Sequence, residues 1–177
     1  MELQETRKIL NSFAKYVIQQ AKSNLTKRKK NVSKSLYNSL DYKILQDSSG
    51  SILQFLMEEY GAYQDQGVSG TKKKYNTPFK YKSKGGKRGL KGMPPTAAID
   101  KWAVRKSGLD KKVRDKKGRF IPRKSLVFLI AKSIFEKGIK PSLFFTKPFE
   151  KRFQTLPNDL IAAFVNDAEK TIEDGNI

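Results

Sequence analysis

The sequence predicts a mixed fold of amphipathic helices and one β-hairpin. Apolar residues recur at helical steps from Leu3 to Leu25 and again from Phe149 to Ile172, the period of helices with one buried face. Between these stretches, two strand-like runs flank the polar turn DSSG at Asp47–Gly50, with Gly50 suited to positive φ. The chain has 177 residues, near the usual size of one domain, and a single domain over 1–177 is expected. A basic Gly/Lys/Pro-rich insertion at about 68–94 interrupts it.

In order along the chain, Leu10, Phe13, Ala14, Val17, Ala21 and Leu25 place a first helix over about 3–27. The basic TKRKK run that follows suits the negative end of its dipole. SKSLYNSLDYKIL passes from a short helical or irregular piece into strand from about Tyr42. The hairpin joins Tyr42, Ile44 and Leu45 to Ile52, Leu53, Phe55 and Leu56. YGAYQDQGVSG reads as a turn of helix entering a loop. Residues 68–94 have no sustained period, and such long connections are functional or disordered. PPTAAIDKWAVRKSG predicts a helix opened by Pro95, with Ile99, Trp102 and Ala103 on one face and Gly108 as its stop. SLVFLIAKSIFEKGI is apolar nearly all round, so the helix over about 124–137 should be the most buried, ended by a left-handed Gly138. After Pro141, SLFF should cross in extended form, with Thr146 capping a helix whose apolar face runs through Pro157, as one kinked helix or two nearly collinear ones. On that pattern Phe145 and Phe149 point inward and Phe144 outward.

Composition removes several chemistries. There is no His and no Cys, which excludes disulfides, thiol nucleophiles, imidazole bases and zinc sites of the usual ligands. No cofactor is expected. The carboxylates at Glu58, Glu59 and Asp65, and at Asp159, Asp167, Glu169, Glu173 and Asp174 in the last helix, read as solvated surface. KSKGGKRG at Lys82–Gly89 lacks the spacing and Lys-Ser/Thr ending of a phosphate-binding loop. No catalytic constellation emerges, and a nuclease or integrase would need an acidic metal cluster. The longest apolar run, LVFLIA at 126–131, is too short to span a membrane. The charged amphipathic N-terminus does not read as a signal peptide.

Charge is the strongest compositional signal. The chain carries 37 Lys and Arg against 17 Asp and Glu, a net +20. Between Val68 and Lys124, 20 basic residues face only Asp100, Asp110 and Asp115, a local excess of +17. Such a block attracts polyanions by releasing their counterions, so DNA is a candidate contact. A solvated loop, or a surface meeting an acidic neighbour, is the alternative. Basic residues interleaved with aromatics suit charge-and-stacking contact with a strand. The candidate polyanion or partner contacts are Lys72, Lys73, Lys74, Tyr75, Lys80, Tyr81, Lys82, Lys84, Lys87 and Arg88.

The order of these signals resembles the tail-completion or head-tail joining (neck) proteins of tailed bacteriophages. Tyr60, Tyr63 and Gly67 in YGAYQDQG are similar to that family's YA-x-Y-x-E-x-G pattern. Pro141, Phe144, Phe145 and Phe149 are similar to its proline-aromatic lead into the last helix. Gln66 near a usual acidic position, and the longer basic insertion, depart from it. The resemblance covers most of the chain outside about 68–93. It implies an α+β subunit with amphipathic helices packed on a small antiparallel sheet, to which this chain adds its long basic loop insertion. It also implies a structural, non-enzymatic role in a homo-oligomeric ring, in contact with other neck, portal or tail proteins. The location would be the virion, assembled in the host cytoplasm. Tyr60, Tyr63 and Phe144 are the candidate subunit-interface residues. The competing reading is a sequence-independent nucleic-acid-binding protein acting through the basic loop.

Overall fold

A computed structural model of the protein describes residues 3–28, 33–47, 50–85, 90–105, 113–115, 117–173 and 175. The fold is α+β. Among the described residues the elements are α1 (Gln4–Lys27), α2 (Ser35–Ser39), β1 (Asp41–Asp47), β2 (Gly50–Leu56), α3 (Tyr60–Gln66) and β3 (Val68–Ser69). They continue with α4 (Thr96–Arg105), α5 (Arg123–Lys137), β4 (Gly138–Ile139), α6 (Thr146–Phe153) and α7 (Leu156–Glu173). The strands form two antiparallel pairs, β1 with β2 and β3 with β4. Two compact units result: Met1–Glu58 with Leu143–Ile177, and Glu59–Ser142.

In the first unit, α1 buries the stripe that its period predicts, Leu10, Phe13, Ala14, Val17, Ala21 and Leu25. It packs on α6, α7 and both strands of the hairpin. The hairpin pairs Ile44 with Leu53 and Tyr42 with Phe55. Leu53 and Phe55 face the core with Phe13, Val17 and Leu156. Aromatic rings meet edge-on there, Phe13–Phe149 at 5.5 Å and Phe55–Phe145 at 5.1 Å between centroids. Such pairs contribute about 0.5–1.5 kcal/mol each beyond the area they bury.

Several expectations for the C-terminal part are corrected. SLFF is not extended, because Leu143 takes a left-handed φ of 48° and Phe144 and Phe145 form a turn. That reversal breaks the in-out alternation of a strand. Phe144 therefore points inward, 0% exposed among Ala21, Leu25, Leu36 and Leu40, and its carbonyl accepts the Asn24 amide at 3.1 Å. Phe145 and Phe149 do join the core. Phe145 takes the cap position, and Thr146 is the first helical residue. Of the two alternatives for the last stretch, two helices are found: α6 ends before Gln154–Thr155, and Pro157 lies in the first turn of α7, where its missing N–H costs nothing.

Asp167 is also corrected. It is buried, and its carboxylate accepts the N–H groups of Glu5 at 2.8 Å and Thr6 at 2.9 Å and the Thr6 hydroxyl at 2.9 Å. Leu3, at the cap position of α1, has no side-chain acceptor to offer. A residue of α7 thus satisfies the donors that a helix start leaves open. Burial pushes the Asp167 carboxyl up, but the bonds from Thr6 and Glu5, with the Lys170 charge, outweigh it and hold it below its ordinary range.

In the second unit, α4 packs on α5 through Ile99, Val127 and Ala131. Ala103 is buried too, but Trp102 is exposed, so the face of α4 is narrower than expected. The anticipated stop at Gly108 lies outside the described residues. Nor is α5 the most buried helix. Phe128 and Leu129 stand in the open, because α5 buries only the stripe of Leu126, Val127, Ala131 and Phe135. Arg123 grips Asp100 with two hydrogen bonds of 2.6 Å.

The start of the basic insertion is tied down, unlike the irregular loop its composition suggests. Val68 pairs with Ile139 and Ser69 with Gly138. The carbonyls of Phe135 and Glu136 accept N–H groups from Thr71, Lys72 and Lys73 at 2.9–3.1 Å. The turn at 71–73 therefore caps the C-terminus of α5, and the Lys72 ammonium lies 3.1 Å from the Glu136 carboxylate. Gly138 has a φ of 75°, and a Cβ there would strike the Val68 carbonyl. A Cβ at Gly70 would strike the Glu136 carbonyl, so the close backbone approach requires both glycines.

Candidate functional site

From Ser69 the chain loops out and returns beside its own strand. Ser69 donates to the Phe79 carbonyl at 2.9 Å, and Tyr81 donates back to Ser69 at 2.8 Å, a parallel bridge centred on Lys80. The Ser69 hydroxyl holds the Tyr75 backbone, and the Thr77 hydroxyl donates to the Gly67 carbonyl at 3.0 Å. These bonds fix an extended piece, 78–82, opposite α3. Phe79 meets Tyr63 edge-on at 4.5 Å, and Tyr81 lies against Phe135 at 6.1 Å.

The result is a groove of about 600 Å³. Tyr60, Tyr63, Phe79 and Tyr81 line it, with the Tyr63 and Phe79 rings in contact, and Lys80 and Lys82 lie among the same lining residues. Val68, Ile139, Pro78 and Gln64 complete the lining. Tyr60 and Tyr63 are 41% and 45% exposed, so their rings are open to a ligand. Lys80 and Lys82 are exposed, and among the described residues neither pairs with a carboxylate. Burial pushes the Tyr81 phenol up, so it stays neutral at pH 7.

The groove joins residues that the sequence assigns to separate roles. Lys80, Tyr81 and Lys82, candidate polyanion contacts, share it with Tyr60 and Tyr63, candidate interface residues. Lys72, Lys73, Lys74 and Tyr75 belong instead to the segment that caps α5, with Lys74 donating to the Gly70 carbonyl at 2.9 Å and Lys73 5.5 Å from the Tyr75 ring. Lys84 is exposed beyond the groove. Lys87 and Arg88 lie outside the described residues. Phe144, buried in the first unit, is no interface residue. Gln64, Pro78 and Ile139 had no signal in the sequence, whereas Phe79 belongs to the aromatic series Tyr75, Phe79, Tyr81.

A second feature lies in the first unit. Ile161, Phe164, Val165 and Ile172 follow one another at helical spacing along α7 yet are 64%, 51%, 46% and 63% exposed. A hollow of about 390 Å³ beside them reaches Leu3, Leu10 and Ser51. Leu45 and Ile52, paired across the hairpin, are also exposed. No group of three or more Asp or Glu that could hold a metal ion occurs among the described residues, and no described helix is long and apolar enough to cross a membrane. No family model, curated protein or solved structure matches the chain.

Proposed function

We propose that this chain is a structural subunit of a tailed bacteriophage. It forms a homo-oligomeric ring at the head-tail neck or the head-proximal end of the tail, with neck, portal or tail proteins as its neighbours in the virion. The observation that carries this reading is the apolar stripe of α7, Ile161, Phe164, Val165 and Ile172, left open to solvent. Contiguous exposed apolar surface marks interaction sites. Leu45 and Ile52 supply a second apolar surface on the hairpin face opposite Leu53 and Phe55, and rings need two different surfaces that meet head to tail. The resemblance at YGAYQDQG and at the proline-aromatic segment supplies the particular assembly.

The test is native mass spectrometry with electron microscopy of the purified chain. Closed rings are expected for the wild type, and folded monomers when Ile161 and Phe164 are both replaced by Asp. A wild-type chain that stays monomeric at high concentration and is absent from purified virions would overturn the proposal.

The second reading, sequence-independent nucleic-acid binding, is favoured by the groove, where aromatic rings and exposed lysines stand side by side. Its test is the binding of any nucleic acid at low salt.

A further inference from the structure

We infer that the groove between α3 and the 78–82 segment is a binding site for single-stranded nucleic acid, with unpaired bases on its tyrosines and phosphates on its lysines. This rests on the second reading above and narrows it. Three observations support it. Four aromatic residues line it, and two of them, Tyr60 and Tyr63, are exposed to solvent. A volume of about 600 Å³ falls within the range of sites that enclose small ligands. Its lining includes Lys80 and Lys82, in the region that holds nearly all the excess positive charge of the chain.

The chemistry selects the strand state. A duplex hides the faces of its bases and offers the groove only phosphates, whereas a single strand offers a flat π-face and a charge in each nucleotide. Rings add nothing to binding of a duplex. They add stacking to binding of a single strand, without regard to sequence, because every base has such a face. Two backbone hydrogen bonds to Ser69, through the Phe79 carbonyl and the Tyr81 N–H, hold the 78–82 segment in place before any ligand arrives, so little ordering is needed on binding.

The experiment measures fluorescence anisotropy with a labelled oligothymidylate of about 15 nucleotides and a duplex of equal length, from about 50 to 200 mM salt. The full chain is used, as wild type and as Tyr60→Leu, Tyr63→Leu, Tyr63→Phe and the double change Lys80→Gln with Lys82→Gln. The leucine variants keep the charge and an apolar side chain but lose the ring, and thermal melts confirm that each remains folded. The expected result is that Tyr60→Leu and Tyr63→Leu each weaken single-strand binding by about fivefold or more and leave the duplex unchanged. Tyr63→Phe should bind as the wild type. The lysine change should weaken both ligands and flatten their salt dependence.

Equal losses on single strand and duplex, or no loss from either leucine variant, overturn the site while leaving general nucleic-acid binding intact. Absence of binding to both ligands at the lowest salt overturns the broader reading as well. If poly-glutamate competes as well as oligothymidylate at equal charge, the groove is a general acidic-partner site and the inference fails.

Discussion

Phe144 and Asp167 show how far a single side chain can depart from its local pattern. Phe144 fills the space between α1 and α2, with no surface exposed, so Phe144→Ala removes a whole ring from a closed cluster. A loss of about 3–5 kcal/mol is expected, read as a lower midpoint in chemical denaturation of the purified chain. Asp167 holds the first turn of α1 from the other end of the sequence, and Asp167→Ala should cost about 1–2 kcal/mol, the upper part of the range for lost caps. Because its folded-state carboxyl is held below its ordinary range, its contribution is present above the unfolded value and disappears as pH falls through the folded one. The difference in stability between wild type and Asp167→Ala should thus be constant near neutrality and shrink in acid. Denaturation at a series of pH values measures this directly, and a difference that grows in acid contradicts the proposed charge.

The first part of the insertion is held by its neighbours in the fold. Residues 68–82 share hydrogen bonds with the end of α5 and with their own strand, so the amides of Ser69, Thr71, Lys72 and Tyr81 should exchange slowly with solvent deuterium. Exchange as fast as in an unstructured peptide would return this stretch to the loop its composition suggests. Gly138→Ala tests the same junction from the other side. The substitution places a Cβ against the Val68 carbonyl at positive φ, and a cost above about 1 kcal/mol is expected, seen as unfolding of the β3–β4 pair before the rest of the chain. A shared apolar stripe gives no such warning in α7, where one side, Leu156 and Ala163, is buried and the other open.

Two forces of opposite salt dependence would govern the proposed ring. A charge of +20 makes the chain repel its own copies and attract polyanions, and salt weakens both effects. Apolar contact through α7 does not weaken with salt. Ring formation should therefore be maintained or favoured as ionic strength rises, whereas nucleic-acid binding falls steeply. Analytical ultracentrifugation beside binding titrations over one salt series separates the two. Parallel loss of both would mean that the ring is held by charge rather than by the open stripe of α7.

Helical period, the hairpin turn and the concentration of charge are local properties, and they were legible in order along the chain. A helix with one buried face must repeat its apolar residues every three or four positions, and α1 does so without exception from Leu10 to Leu25. What local order cannot carry is the identity of the partner across space. Asp167 looks like surface until Glu5, 162 positions away, places a helix start against it. Phe144 looks outward until the left-handed turn at Leu143 reverses the chain. The groove likewise exists only because the bonds of Ser69 and Thr77 bring 78–82 back beside the chain and opposite α3. Its residue types and charge were written in the sequence, but their meeting depended on the backbone bonds of Ser69 to residues 79 and 81 and on the pairing of Val68 with Ile139, whose donors and acceptors are the same for nearly every residue and leave no trace in composition.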